Sequence, residues 1–228
     1  MRWIAPALAG LAATLACTAS AEAASPWYVE GGLGGYFRDS ESSSNTFHRN
    51  ATPNVNVSGV DTLKFNPGLI ANVGVGYRLT SHLRIEAEAG YFTYTGHTLN
   101  PYTSAPGYPA LNGQTFTRRS GDRWSRYSGT VNAYYDFTPI AGRFTPYVGG
   151  GVGASADHRT NGRYKSAGGQ IFTTPGGTST QGFGLVEGGV SIAVSPHWAV
   201  VPTYRYMHCF AVGEDSAHVG QIRLRYSF

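Results

Sequence analysis

Hydrophobic and polar side chains alternate along eight stretches of the chain, near residues 27 to 37, 65 to 78, 83 to 94, 125 to 137, 144 to 156, 182 to 194, 198 to 207 and 217 to 228. Successive residues of a β-strand point to opposite faces, so a period of two marks strands that divide an apolar environment from a polar one. The final stretch, Gln221-Ile222-Arg223-Leu224-Arg225-Tyr226-Ser227-Phe228, alternates without a break. In the third, Leu83, Ile85, Ala87, Ala89 and Tyr91 take one face, and Arg84, Glu86, Glu88 and Gly90 the other. The fourth sets Tyr127, Val131, Ala133, Tyr135 and Phe137 against Arg126, Ser128, Thr130, Asn132 and Asp136. The seventh sets Trp198, Val200, Tyr204 and Tyr206 against Thr203 and Arg205.

The connections sort the eight strands further. Thr80-Ser81-His82, Thr138 to Arg143 and Ser195-Pro196-His197 are short, whereas residues 38 to 64, 95 to 124, 157 to 181 and, less so, 208 to 216 are long. Strict alternation of tight turns with extended loops is the signature of an up-and-down barrel in an outer membrane, with turns in the periplasm and loops outside. Long structureless loops sit poorly in a compact soluble domain and are expected here as exposed surface. The pattern therefore predicts an all-β fold, an eight-stranded antiparallel up-and-down transmembrane β-barrel with apolar faces toward lipid.

Aromatic and glycine placement agree with that reading. Trp27, Phe37, Phe65, Tyr77, Tyr127, Phe137, Phe144, Trp198, Tyr206 and Phe228 lie near strand ends, where two interfacial girdles belong. Glycines cluster at 31, 32, 34 and 35, at 74 and 76, at 149 to 151 and 153, and at 188 and 189, where they relieve crowding inside a narrow barrel and let the sheet bend. Gly149-x-Gly151-x-x-Ala154 matches a dinucleotide fingerprint formally, but no helix follows it. Pro202 falls inside the seventh strand, where a closed ladder needs every donor, and a bulge or distortion is expected there.

Composition adds the route of export. Residues 1 to 23 carry Arg2, an apolar run from Ile4 to Ala16 and the small-x-small site Ala21-Glu22-Ala23, the layout of a signal peptide too short to span a bilayer. Cys17 invites a lipoprotein reading, but Thr14 stands where such signals carry a large aliphatic residue. Residues 24 to 228 then form one barrel domain whose single cysteine, Cys209, allows no internal disulfide. No run of roughly 20 apolar residues exists to make a spanning helix, so membrane crossing falls to strands. The net charge of +4 is too small and too scattered for nucleic-acid binding.

Trp27-Tyr28-Val29 with its following glycines, Arg84-Ile85-Glu86-Ala87-Glu88-Ala89-Gly90-Tyr91, Thr145-Pro146-Tyr147-Val148-Gly149-Gly150-Gly151, Tyr204-Arg205-Tyr206 and Leu224-Arg225-Tyr226-Ser227-Phe228 resemble the small outer-membrane β-barrel family that includes the OmpA transmembrane domain, OmpX and the opacity-type surface antigens. The resemblance covers nearly the whole exported chain. It implies eight antiparallel strands and makes Ile222, Leu224, Tyr226 and Phe228 a signal for the outer-membrane assembly machinery. With Phe228 last, no OmpA-type peptidoglycan-binding domain is expected. Little about activity is implied, because members of the family differ mainly in their loops.

Candidate chemistry lies in three places. The inward set holds Glu30, Arg78, Arg84, Glu86, Glu88, Arg126, Asp136, Glu187, Arg205, Arg223 and Arg225. Eight strands enclose a lumen that side chains fill, so these charges must pair as a plug rather than line an open pore. Arg118, Arg119, Arg123, Arg159, Arg163 and Lys165, against Asp122 and Asp157, form a basic outer-loop surface suited to lipopolysaccharide phosphates or another polyanion. His48, His97, His158, His208 and His218 lie in or near the outer loops, but no close-spaced pair supports a metal site, and no cofactor is expected. Small outer-membrane lipid A deacylases and acyltransferases share the architecture, and a deacylase needs a serine activated by a histidine. His208-Cys209-Phe210 followed by Glu214 resembles such a site, yet phenylalanine stands in the serine's place, and no spacing pairs Ser216 or His218 with a base. The expected role is therefore structural or adhesin-like surface recognition without enzymatic activity, with a narrow porin-like channel for ions or small solutes as the alternative.

Overall fold

The computed structural model describes residues 25–49, 55–104, 113–169, 171–210 and 216–228; residues 1 to 23, where the sequence predicts a signal peptide, lie outside them. Among the described residues thirteen strands occur in chain order: β1 Trp27–Arg38, β2 Glu41–Arg49, β3 Val55–Phe65, β4 Gly68–Arg78, β5 Leu83–Ser104, β6 Phe116–Gly121, β7 Arg123–Asp136, β8 Phe144–Arg159, β9 Gly162–Ser166, β10 Ile171–Thr174, β11 Gly177–Ala193, β12 Trp198–Cys209 and β13 Ser216–Ser227. Eight of them close a ring in the order β1-β4-β5-β7-β8-β11-β12-β13, with β13 pairing back to β1, every pairing antiparallel. Closure removes the free sheet edges that lipid could not satisfy.

The outward faces are those the alternation predicts. Leu83, Ile85, Tyr91, Tyr127, Val131, Tyr135, Trp198, Tyr204, Ile222 and Leu224 are exposed, while Arg84, Glu86, Glu88, Arg126, Asn132, Arg205, Arg223 and Arg225 are buried in the lumen. Aromatic pairs edge the outer surface at the turn end of the barrel, Trp27 with Tyr77 and Trp198 with Tyr226, each 4.9 Å between ring centroids. Phe65 departs from the expected girdle. It is partly buried, edge-on to Tyr94 at 5.6 Å and beneath the Arg38 guanidinium at 4.2 Å.

The long connections are not structureless. β2 and β3 form a hairpin; β3 pairs with the outer half of β5, which pairs with β6, then β9 and β10. This outer sheet stands beyond the barrel with its own core of Leu63, Leu99, Phe116 and Tyr164, joined by Phe65 and Phe172. β5 runs on past Tyr94 as one strand, but its buried side changes from even positions through Gly96 to odd positions from Leu99, across a register shift in its pairing with β3.

Pro202 causes no bulge. It sits opposite Ile222 in an unbroken β12–β13 register, and on its other side the β11–β12 pairing resumes at Ile192 opposite Val200 in the same register it had at Gly189 opposite Thr203. Losing one donor opens the ladder locally without inserting a residue. The register shifts that do occur lie in the outer sheet, in β3–β5 and β6–β9.

Inward glycines make room for large rings. A Cβ on Gly76 would overlap the Tyr28 ring, and one on Gly149 would overlap the Tyr134 ring. Gly76→Leu is expected to lower stability by about 1–3 kcal/mol, read as a smaller share of the fast-migrating folded band on unheated gels; an unchanged band would show that the lumen has slack.

Candidate functional site

The lumen is layered. Nearest the turns, Arg84 lies 3.8 Å over the Tyr134 ring, donates to the Tyr28 hydroxyl at 2.9 Å and pairs with Asp136 at 3.1 Å. Arg225 donates to Glu30 and lies over the Tyr28 ring. Arg78, also in the predicted charge set, is only half-buried and donates to the Ser227 hydroxyl at 3.1 Å, with no ion pair among the described residues.

Above this layer Arg223, on the last strand, reaches all four lumen glutamates: Glu30 at 2.7 Å, Glu86 at 2.9 Å, Glu88 at 2.6 Å and Glu187 at 2.9 Å. Arg205 grips Glu88 with two nitrogens at 2.7 and 2.8 Å and donates to Glu187 at 2.7 Å. Asn72 and Tyr147 supply further donors to Glu88 and Glu187, each at 2.9 Å. One connected network thus spans β1, β4, β5, β8, β11, β12 and β13. Bidentate arginine–carboxylate pairs of this kind combine the strongest hydrogen bonds with fixed geometry.

A second, apolar layer caps the charges. Tyr36, Ile70, Phe92, Tyr94, Phe183, Leu185, Met207, Cys209, Ala217 and Val219 pack across the lumen as one cluster. Its members sit on the same inward parity as the charges, so extending that parity toward the outer strand ends is the signal that finds them. Arg126, predicted within the charge network, lies instead at this upper level, paired with Asp157 at 2.7 Å and within 3.7 Å of Cys209 Sγ. Asp157 is buried rather than part of a solvated loop, and Gln181 also donates to it at 2.7 Å.

Where platform meets barrel, Asp122 is fully buried with a positive φ of 47°, a conformation that aspartate tolerates better than most residues. Its carboxylate accepts from Tyr164 and from Arg159 at 2.6 Å, and its backbone bonds to Asn161 and Gly96. Burial first, and then the bond to Asp122, push the Tyr164 phenol well above its ordinary pKa, so it remains a donor. Asp122 therefore locks the outer sheet to β5 and β8.

The predicted basic surface is divided by this packing. Arg159 turns in to Asp122 and over Trp124, and Arg118 donates to the Gly121 carbonyl at 2.7 Å. Arg119, Arg163 and Lys165 converge instead around a shallow pocket of about 320 Å³ with Ser120, Tyr164 and Ile171, and Arg123, exposed at the start of β7, is not among its lining residues. The register explains the convergence: Lys165 lies between Thr117 and Ile171, and Arg163 between Ser120 and Thr173.

Among the described residues no group of three metal-binding side chains occurs; the side chain of His48 lies outside them. His208 does meet a partner that spacing alone did not reveal, the Ser216 hydroxyl, because the two residues face each other across β12 and β13. Ile222, Leu224 and Phe228 are exposed and Tyr226 is half-buried, all on the outward side of the closing strand.

A closed ring of eight antiparallel strands, lipid-facing outside and charge-filled within, defines an outer-membrane β-barrel, the class built for the outer membrane of a Gram-negative bacterium. The chain belongs to the family described as outer membrane protein beta-barrel domain, matched over residues 8–228. Uncharacterized proteins of Brucella suis and Brucella melitensis are 28% identical over 141 residues, 57% of this chain and 48% of theirs. The chain thus spans about half the length of the curated relatives it matches. The outer membrane protein OprG from Pseudomonas aeruginosa shares the fold at 13% identity and a TM-score of 0.52, over 90% of this chain and 97% of that one. Neisserial surface protein A aligns at 20% identity and a TM-score of 0.49, over 91% of this chain and 100% of that one.

Two substitutions probe these nodes. Arg223→Met removes a partner from all four buried glutamates and, among the described residues, leaves Glu86 only Arg84 at 3.8 Å; it is expected to cost about 3–5 kcal/mol, measured by denaturant unfolding of the refolded barrel in detergent micelles. Asp122→Ala leaves a buried phenol without an acceptor, a cost of about 1–3 kcal/mol; it should speed protease cleavage of residues 95 to 124 on intact cells while the barrel core stays resistant.

Proposed function

We propose that this protein is a closed outer-membrane scaffold that presents a rigid outer sheet for surface recognition. The observation that carries the reading is that the long connections form a second β-sheet with its own buried core, fastened to the barrel through Asp122. A binding element held rigid loses little conformational freedom on meeting its partner. The exposed side of that sheet offers Arg119, Arg163 and Lys165 around one pocket beside the apolar Ile171, which suits phosphate or sulfate groups of lipopolysaccharide or a host polyanion. The closing strand, with Ile222, Leu224, Tyr226 and Phe228, would be read by the outer-membrane assembly machinery.

A narrow channel is the competing role, and the lumen counts against it. Ions would have to cross the apolar layer around Tyr36, Phe92 and Phe183 and then part the Arg205–Arg223 network. The refolded protein in planar bilayers is expected to give no discrete conductance steps; reproducible steps would overturn the closed-scaffold reading. Binding of fluorescent heparin oligosaccharide to cells displaying the protein should weaken as salt rises and fall at least about tenfold in the triple variant R119E/R163E/K165E. Equal binding by the variant would remove the basic pocket from the recognition surface.

A further inference from the structure

On the lipid-facing side of β12 and β13, near their outer ends, polar groups gather where an apolar face would be expected. The His208 Nδ1 lies 3.0 Å from the Ser216 Oγ, and the Tyr206 hydroxyl lies 2.8 Å from the same oxygen. One strand position further in, the Tyr204 hydroxyl bonds to His218 Nδ1 at 2.6 Å, and the His218 ring packs beside Tyr206 at 5.3 Å between centroids. Ser216, His218, Tyr204, Tyr206 and His208 share the outward parity of the lipid contacts Ile222 and Leu224.

Height places this cluster at the membrane surface. From Trp198 in the turn-side girdle to His208, the strand climbs roughly 33 Å along its axis at about 3.3 Å per residue, or about 25 Å across the membrane at the usual barrel tilt, the full height of the apolar band. At that level the ester carbonyls of outer-leaflet lipids lie. On the same face of β13, below Ser216 and beyond His218, Gly220 leaves open space where a side chain would stand. Lower still, Leu33, Ile222, Val200, Leu224 and Gly31 border a groove of about 440 Å³. A hydroxyl with an imidazole at hydrogen-bond distance, at ester height and above an apolar groove, supplies the nucleophile and the base of an acyl transfer.

We infer that Ser216 and His208 form a nucleophile–base pair that hydrolyses a fatty acyl ester of an outer-leaflet lipid, with the acyl chain lying along the Gly220 to Gly31 track. The inference goes beyond the recognition role and does not depend on it. Ser216 Oγ bonds to the ester carbonyl carbon as its proton passes to His208 Nδ1. The tetrahedral intermediate collapses, the C–O bond to the lipid alcohol breaks, and that alcohol leaves with the proton from His208. Water then adds to the acyl-serine, giving its proton to His208; the Ser216–acyl bond breaks, the fatty acid leaves, and Ser216 recovers its proton. Tyr206, already within reach of Oγ, is a donor that can turn to the carbonyl oxygen as negative charge develops there.

The test uses the full refolded chain in two vesicle preparations, phosphatidylethanolamine alone and phosphatidylethanolamine with lipopolysaccharide. Free fatty acid is read by mass spectrometry, and a fluorophosphonate probe reports covalent modification. The expected result is a probe adduct on Ser216 and fatty-acid release at least about 100-fold above the Ser216→Ala and His208→Gln variants, with Ser195→Ala, in the opposite turn, unchanged. Release confined to one preparation identifies the lipid source. Folding of each variant is checked by gel mobility before heating. A folded barrel that gives no Ser216 adduct, or whose fatty-acid release survives Ser216→Ala, overturns the assignment.

Discussion

The lumen of an eight-stranded barrel leaves space for side chains and little for water, so any charge placed there must be neutralised by another side chain. Everything else in this protein is arranged around meeting that demand. Arg223 is the hub: it sits on the closing strand yet touches glutamates from β1, β5 and β11. Separated in the chain by up to 195 residues, partners such as Glu30 and Arg225 meet only when the ring closes. The network therefore reports correct closure, because a slip of one residue in any seam would turn its charges into the lipid.

Ring closure also sets where the protein can act. The lower lumen is packed by ion pairs and the upper lumen by aromatic and aliphatic side chains, and the proposed roles accordingly fall on the outer sheet and the membrane-facing rim. Both draw on the same economy of strands. β5, longer than the membrane requires, continues outward and pairs again with β3 and β6, which joins the connections into a second sheet. The rim cluster arises where the apolar outward parity meets the headgroup region and polar residues become compatible with it.

Small residues are the counterpart of the large ones. Tyr28 occupies the space left by Gly76, and Tyr134 that left by Gly149. Packing of this kind lets arginines and tyrosines share a narrow cross-section, with Arg84 stacked over Tyr134 at 3.8 Å. Removing a glycine or a charge therefore disturbs the same layer from opposite directions, one by excess volume and the other by unpaired charge.

The eight barrel strands, their inward and outward faces, the alternation of short and long connections and the membership of most lumen charges were legible in the chain, because a period of two is a local property that each strand carries by itself. Partner choice was not legible. Arg126 pairs with Asp157 and Arg78 with Ser227, while Arg159 turns inward rather than joining the basic surface. The outer sheet, the interior place of Phe65 and the meeting of His208 with Ser216 likewise depend on which strands become neighbours and in what register. Sequence determined which side of each strand faces lipid; only closure of the ring decided which side chains would meet, since antiparallel register joins residues that no local spacing connects.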